Sequence, residues 1–160
     1  MGDANLVAGE HSSAVPVLES IDDVVAIVAK SGRPVFVRFS SAVPDGDDEA
    51  SIDHETGLEL PGLSVNPLNP PAWWRGRELE EWVVRRICTY AHLQARDPDR
   101  SCWLVPGVVV DRGPDNEPLI VPDRPLAKIA REVVEECRER RVRAGLEDPD
   151  ECEGPDWQAT

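Results

Sequence analysis

The chain has 160 residues, 41% of them hydrophobic and 30% charged, which suits one globular domain of ordinary size and is too short for two full ones. No apolar run approaches the roughly 20 residues of a membrane-spanning helix, and residues 1–10 lack the basic start and apolar stretch of a secretory signal, so a cytoplasmic protein is expected. The net charge of −14 resides in two segments, Asp45–Glu59 with seven acids and Glu147–Asp156 with six, leaving 18 acids against 17 Lys and Arg elsewhere; free nucleic acid, which needs a concentrated basic face, is excluded as a partner.

Residues 1–15 are small, polar and aperiodic, an expected mobile lead-in to a single domain over residues 16–145. Ser20 can cap a helix running from Ile21 to Lys30, because Asp22 and Asp23 suit its positive first turn and Val24, Ile27 and Val28 repeat on one face. Gly32 is the expected stop. Val35-Phe36-Val37-Arg38-Phe39 then reads as a strand. Ser40–Glu55 has Pro44, Gly46 and no apolar period, and predicts a long acidic loop, either a lid or a solvated connection.

Alternating apolar residues from Gly57 to Asn66, broken by Pro61-Gly62, predict two short strand pieces around a turn or bulge. Asn69-Pro70-Pro71 starts a helical turn carrying Trp73 and Trp74. A helix follows from Glu78 to Gln94, with Leu79, Trp82, Val83, Ile87, Tyr90 and Leu93 on or beside one stripe. Cys102–Val110 and Pro118–Val121 predict a hairpin across Asp111-Arg112-Gly113-Pro114-Asp115-Asn116. Asp123 is placed to cap a last helix from Pro125 to Arg143, on the spacing of Leu126, Ile129, Ala130, Val133, Val134 and Cys137. Residues 146–160 form an acidic tail with too little apolar area to offset chain entropy. The fold class expected is α+β, a mostly antiparallel sheet covered by about three helices.

Arg38 is the most informative position, because a permanently charged guanidinium between Val37 and Phe39 is costly to bury alone. It must snorkel outward, meet a carboxylate, or line a cleft for an anion. Glu117 stands where a sharp turn becomes an apolar strand; a carboxylate fixed there can act as a base or stabilise a developing cation, or simply pair with Arg38 or Arg112. Asp115 would share its side if the strand began early. Ser64 lacks the glycine context of a nucleophile elbow and is left a positioning role.

Cys88 and His92, four apart on a helix, are two ligands without a third, so no metal is assigned. The four cysteines, Cys88, Cys102, Cys137 and Cys152, show no C-x-x-C pair and are expected as free thiols. Trp73, Trp74, Trp82 and Tyr90 either stack a planar ligand or fill a core. His54 is expected in solvent, and phosphate-cradling glycine motifs are absent.

Across Leu18–Ala130 the chain resembles a family of small actinobacterial proteins known as a domain of unknown function. The strings that carry the likeness are Val37-Arg38-Phe39-Ser40, Gly57-Leu58-Glu59-Leu60-Pro61-Gly62-Leu63-Ser64, Trp73-Trp74, Tyr90-Ala91-His92-Leu93 and Gly113-Pro114-Asp115-Asn116-Glu117-Pro118-Leu119. No activity is inherited through it. The order Arg38, Ser64, Glu117 also resembles the Arg-Ser-Glu arrangement of ADP-ribosyltransferases, although Leu63-Ser64-Val65 stands where that family has Ser-Thr-Ser, and Asp115 where a Glu or Gln often precedes the glutamate. That resemblance implies Arg38 on the pyrophosphate of NAD, Ser64 supporting the site and Glu117 helping to expel nicotinamide; Tyr90, a ring able to stack a planar ligand, is the further expected cofactor contact. The competing expectation is a non-catalytic module whose Trp residues and acidic segments engage a basic partner protein.

Overall fold

The computed structural model describes residues 15–44, 51, 55–74 and 76–145. The acidic tail, residues 1–14 and most of the acidic stretch of 45–54, His54 included, lie outside these residues. Val15 packs against buried side chains of the sheet. Val17–Leu18 forms a short strand, β1. Helix α1 (Ile21–Lys30) starts at Ser20, whose hydroxyl accepts the Asp23 N–H at 3.1 Å. It stops at Ser31 rather than Gly32, because the Ser31 hydroxyl donates to the Arg33 carbonyl at 2.7 Å and turns the backbone there.

Strand β2 spans Val35–Ser40. The two short pieces β3 (Leu63–Ser64) and β4 (Asn66–Pro67) both follow Pro61-Gly62 instead of flanking it. Gly62 is where backbone approaches backbone: a Cβ there would stand 3.0 Å from the Ile120 carbonyl oxygen. After a single 3-10 turn at Ala72–Trp74 comes helix α2 (Leu79–Arg96), which ends two residues beyond the expected Gln94. Strands β5 (Ser101–Arg112) and β6 (Pro118–Pro122) form the expected hairpin.

The last segment differs from expectation. Residues 127–129 are a strand, β7, and helix α3 covers only Arg131–Arg143, with Ala130 rather than Asp123 at its N-terminal boundary. Ala127 and Ile129 are buried and Lys128 is not, so a local period of two overrides the helical spacing once β5 offers an edge to pair with. Asp123 instead takes an exposed ion pair with Arg33 at 2.9 Å, which lowers its carboxyl pKa.

The strands follow the order β1-β7-β5-β2-β4, all antiparallel except β1 beside β7. Beyond Pro106, β5 pairs with β6, whose other edge takes β3. Asp123 N–H reaches the Pro106 carbonyl at 2.9 Å and Leu126 N–H the Leu104 carbonyl at 2.8 Å, so β6 and β7 lie end to end along one edge of β5. Among the described residues no helix is long and apolar enough to cross a membrane.

Alternation along the strands sorts side chains into two cores. Val35, Val37, Phe39, Cys102, Leu104, Ala127 and Ile129 face the three helices, meeting Val24, Ile87 and Val134 among others. Phe36, Trp103, Val105, Leu63, Val65 and Ile120 form a smaller cluster on the other face. Arg86 on α2 is 1% exposed, its guanidinium carbon 5.4 Å from the Trp82 ring and 5.7 Å from the Tyr90 ring.

Cys88, Cys102 and Cys137 are free and buried. Burial, then the Cys137 sulfur, holds the Cys102 thiol well above its ordinary pKa of 9.0; burial, then Glu136, pushes Cys137 up to about 12. A folded thiol that keeps a proton the unfolded chain releases makes stability fall as pH rises. We expect urea midpoints to decline from about pH 9 towards pH 12, less steeply in Cys137→Ala, and Cys102 and Cys137 to resist alkylation at pH 8 until the protein is unfolded; rapid labelling of either in the native state contradicts this.

Candidate functional site

Arg38, Ser64 and Glu117 come from three separate segments and meet. Arg38 lies on β2 with Trp103 directly opposite on β5, on the sheet face away from the helices. Its Nη1 donates to the Ser64 carbonyl oxygen at 2.7 Å and to the Ser51 hydroxyl oxygen at 3.4 Å. The Ser64 hydroxyl donates to Glu117 Oε1 at 3.4 Å. One serine thus offers its main-chain oxygen to the cation and its side chain to the anion.

Local structure explains the convergence. Ser64 pairs with Leu119 across β3 and β6, and Val65 N–H donates to the Pro118 carbonyl at 3.2 Å, which sets β3 beside the residue that follows Glu117. The hairpin turn is closed by Asn116 N–H to the Gly113 carbonyl at 2.9 Å and by Gly113 N–H to the Glu117 carbonyl at 2.8 Å. Asn116 adopts φ 61°, a left-handed conformation that asparagine tolerates. Glu117 folds back over this turn, its Oε2 accepting the Asp115 N–H at 3.0 Å. Asp115 contributes its backbone N–H to Glu117, and its side chain is exposed.

Ser51 was not singled out by sequence, and it is the hub on the Arg38 side. Its hydroxyl oxygen accepts the Ser64 N–H at 2.9 Å as well as the Arg38 bond, and its carbonyl accepts the Leu60 N–H at 2.6 Å. A serine inside an acidic, aperiodic stretch carries no signal of such a role.

Tyr90 does not join this group. It packs with the helices against the larger core, whereas Arg38 shares the opposite face with Phe36, so the sheet lies between the two residues. Trp73, Trp74 and Trp82 make edge-to-face and tilted contacts with ring centroids 5.1–5.8 Å apart. Arg77 and Arg85 lie over Trp74, so these rings build a cluster of their own away from Arg38. His92 Nδ1 bonds the Thr89 carbonyl at 3.1 Å, and Arg112 bonds the Asn116 carbonyl at 3.3 Å. Among the described residues no group of three or more His, Cys, Asp or Glu could hold a metal ion.

Chemically, the arrangement offers a guanidinium for anions, a hydroxyl, and a half-buried carboxylate within one short chain of hydrogen bonds. It depends on Gly113, where an added Cβ would overlap the Glu117 carboxylate. Gly113→Ala should therefore swing Glu117 off Ser64 while changing stability by less than about 1 kcal/mol. A thermal melt and a crystal structure of the variant check this; a carboxylate still on Ser64 contradicts it.

No curated protein matches the chain, and no solved structure matches it. The model of a family of unknown function, DUF6098, matches residues 11–151. With a single α+β sheet spanning most of that match, the chain belongs to this family.

Proposed function

We propose that Arg38, Ser64 and Glu117 form a ligand site for a small anion, specifically a dinucleotide such as NAD, and that the site promotes ADP-ribosyl transfer or hydrolysis of the nicotinamide bond. The supporting observation is the bridge through Ser64, which joins Arg38 to a carboxylate 53 residues beyond the serine. Arg38 holds the main chain of Ser64 while the hydroxyl of the same residue holds Glu117, so one residue sets the spacing of the cation and the carboxylate.

NAD carries charges that complement this pair. In this reading Arg38 holds the pyrophosphate, for which a guanidinium fork is well suited. The bond between the ribose C1′ and the nicotinamide nitrogen breaks, and nicotinamide leaves neutral with the bonding electrons. Positive charge then develops on the sugar, where the Glu117 carboxylate stabilises it. Water or an acceptor nucleophile adds at C1′ and releases its proton to Glu117 or solvent. Ser64 keeps Glu117 in position.

A second reading is favoured by a different observation. Val108, Val109, Val110 and Val121 on the β5–β6 hairpin are 43–63% exposed, and exposed apolar ribbon of this kind marks interaction surfaces. A non-catalytic module using this ribbon, with acidic segments steering a basic partner protein, is the alternative.

Heat melts with and without NAD separate the two. At a hundredfold excess over Kd the ligand should stabilise the protein by about 2.7 kcal/mol. Arg38→Ala should lose the shift. Glu117→Gln should retain it while slowing nicotinamide release on the order of 10²-fold. Absence of any shift in the unaltered protein overturns the catalytic reading and leaves the ribbon as the working surface.

A further inference from the structure

The sheet face that bears Arg38 carries a second cation. Arg38 stands opposite Trp103, and Trp103 opposite Lys128, in one row across β2, β5 and β7. Directly opposed side chains share a face, and two strand spacings put the Arg38 and Lys128 Cα atoms about 10 Å apart. Lys128 Nζ lies 5.7 Å from the centroid of the Trp103 ring. That ring is pinned by its own N–H, which donates to the Ser40 carbonyl at 3.2 Å.

Lys128 is the outward residue of its strand, between buried Ala127 and Ile129. Among the described residues no carboxylate pairs with it. Its counterpart is anchored as well, because Arg38 Nη1 is held at Ser64 on the far side of the row. Each cation is therefore tethered, Lys128 to the indole and Arg38 to β3, and the two do not converge on one phosphate.

We propose that Lys128 selects a ligand with a phosphate beyond the pyrophosphate, a 2′-phosphorylated dinucleotide of the NADP class, over its unphosphorylated counterpart. The inference rests on the reading of Arg38 as the pyrophosphate anchor and adds the substrate class. A lysine is suited to this task as a compact point charge for a terminal phosphate. The stem packed on Trp103 limits where that charge can go.

Titration calorimetry with NAD and NADP provides the test. The unaltered protein should bind NADP about tenfold more tightly at low salt, a preference that shrinks as salt screens the contact. Lys128→Met keeps an unbranched stem on Trp103 and removes the charge; it should bind both dinucleotides equally, with NAD affinity unchanged. Lys128→Arg should restore the preference. Equal binding of NAD and NADP by the unaltered protein overturns this inference while the catalytic reading stands, as does a preference that persists in Lys128→Met. If neither dinucleotide binds the unaltered protein, both fail together.

Discussion

A strand of twelve residues has two faces and two edges, and β5 commits all four. Its first half alternates Cys102 and Leu104 into the helix-covered core with Trp103 and Val105 into the smaller cluster. Over those residues β2 holds one edge and β7 the other, and further along β6 takes over the second edge. Pro106 sits where that partner changes, so its missing N–H falls at a break in the ladder, the place where a proline inside a sheet is tolerated. Every other element is located by reference to this strand. A slip of one residue in its register would send both cores to the wrong faces.

The same alternation produces the candidate site. Once Phe36 enters the smaller cluster, Arg38 must follow it to that face, at the cluster's rim beside Trp103. A charge placed there loses water on one side and must recover polar contacts from the protein. Ser64 and Ser51 provide them with neutral oxygens, and Ser64 passes the connection on to Glu117. These contacts fix the guanidinium at the rim of the smaller cluster, beside the strand that carries Ser64.

Arg86 shows how differently the protein treats a buried guanidinium elsewhere. It is almost wholly inaccessible and lies near the faces of Trp82 and Tyr90 on its own helix. Both aromatics are four residues away, the spacing that brings side chains together on a helix surface. Tyr90 is thus engaged in the helix layer, which accounts for its separation from Arg38. Tyr90 thus packs on one side of the sheet, and Phe36 and Trp103 pack on the other.

Much of the architecture was legible in the order of residues. Ser20 with Asp22 and Asp23 fixed the start of α1, the stripe from Leu79 to Leu93 marked α2, and Gly113–Asn116 between two apolar runs marked the hairpin, because capping, helical periodicity and turn conformation are local properties. Arg38 and Glu117 stood out for the same reason, each a charge set against an apolar strand. Residues 125–130 are ambiguous in sequence, because Leu126, Ile129 and Ala130 satisfy a helical spacing while Ala127 and Ile129 also satisfy a strand; the edge of β5 decides between them. Ser51, the row from Arg38 through Trp103 to Lys128, and the separation of Tyr90 from Arg38 depend on strand register and on which face a helix covers. Those are long-range pairings, and a chain written in one dimension carries their ingredients without their alignment.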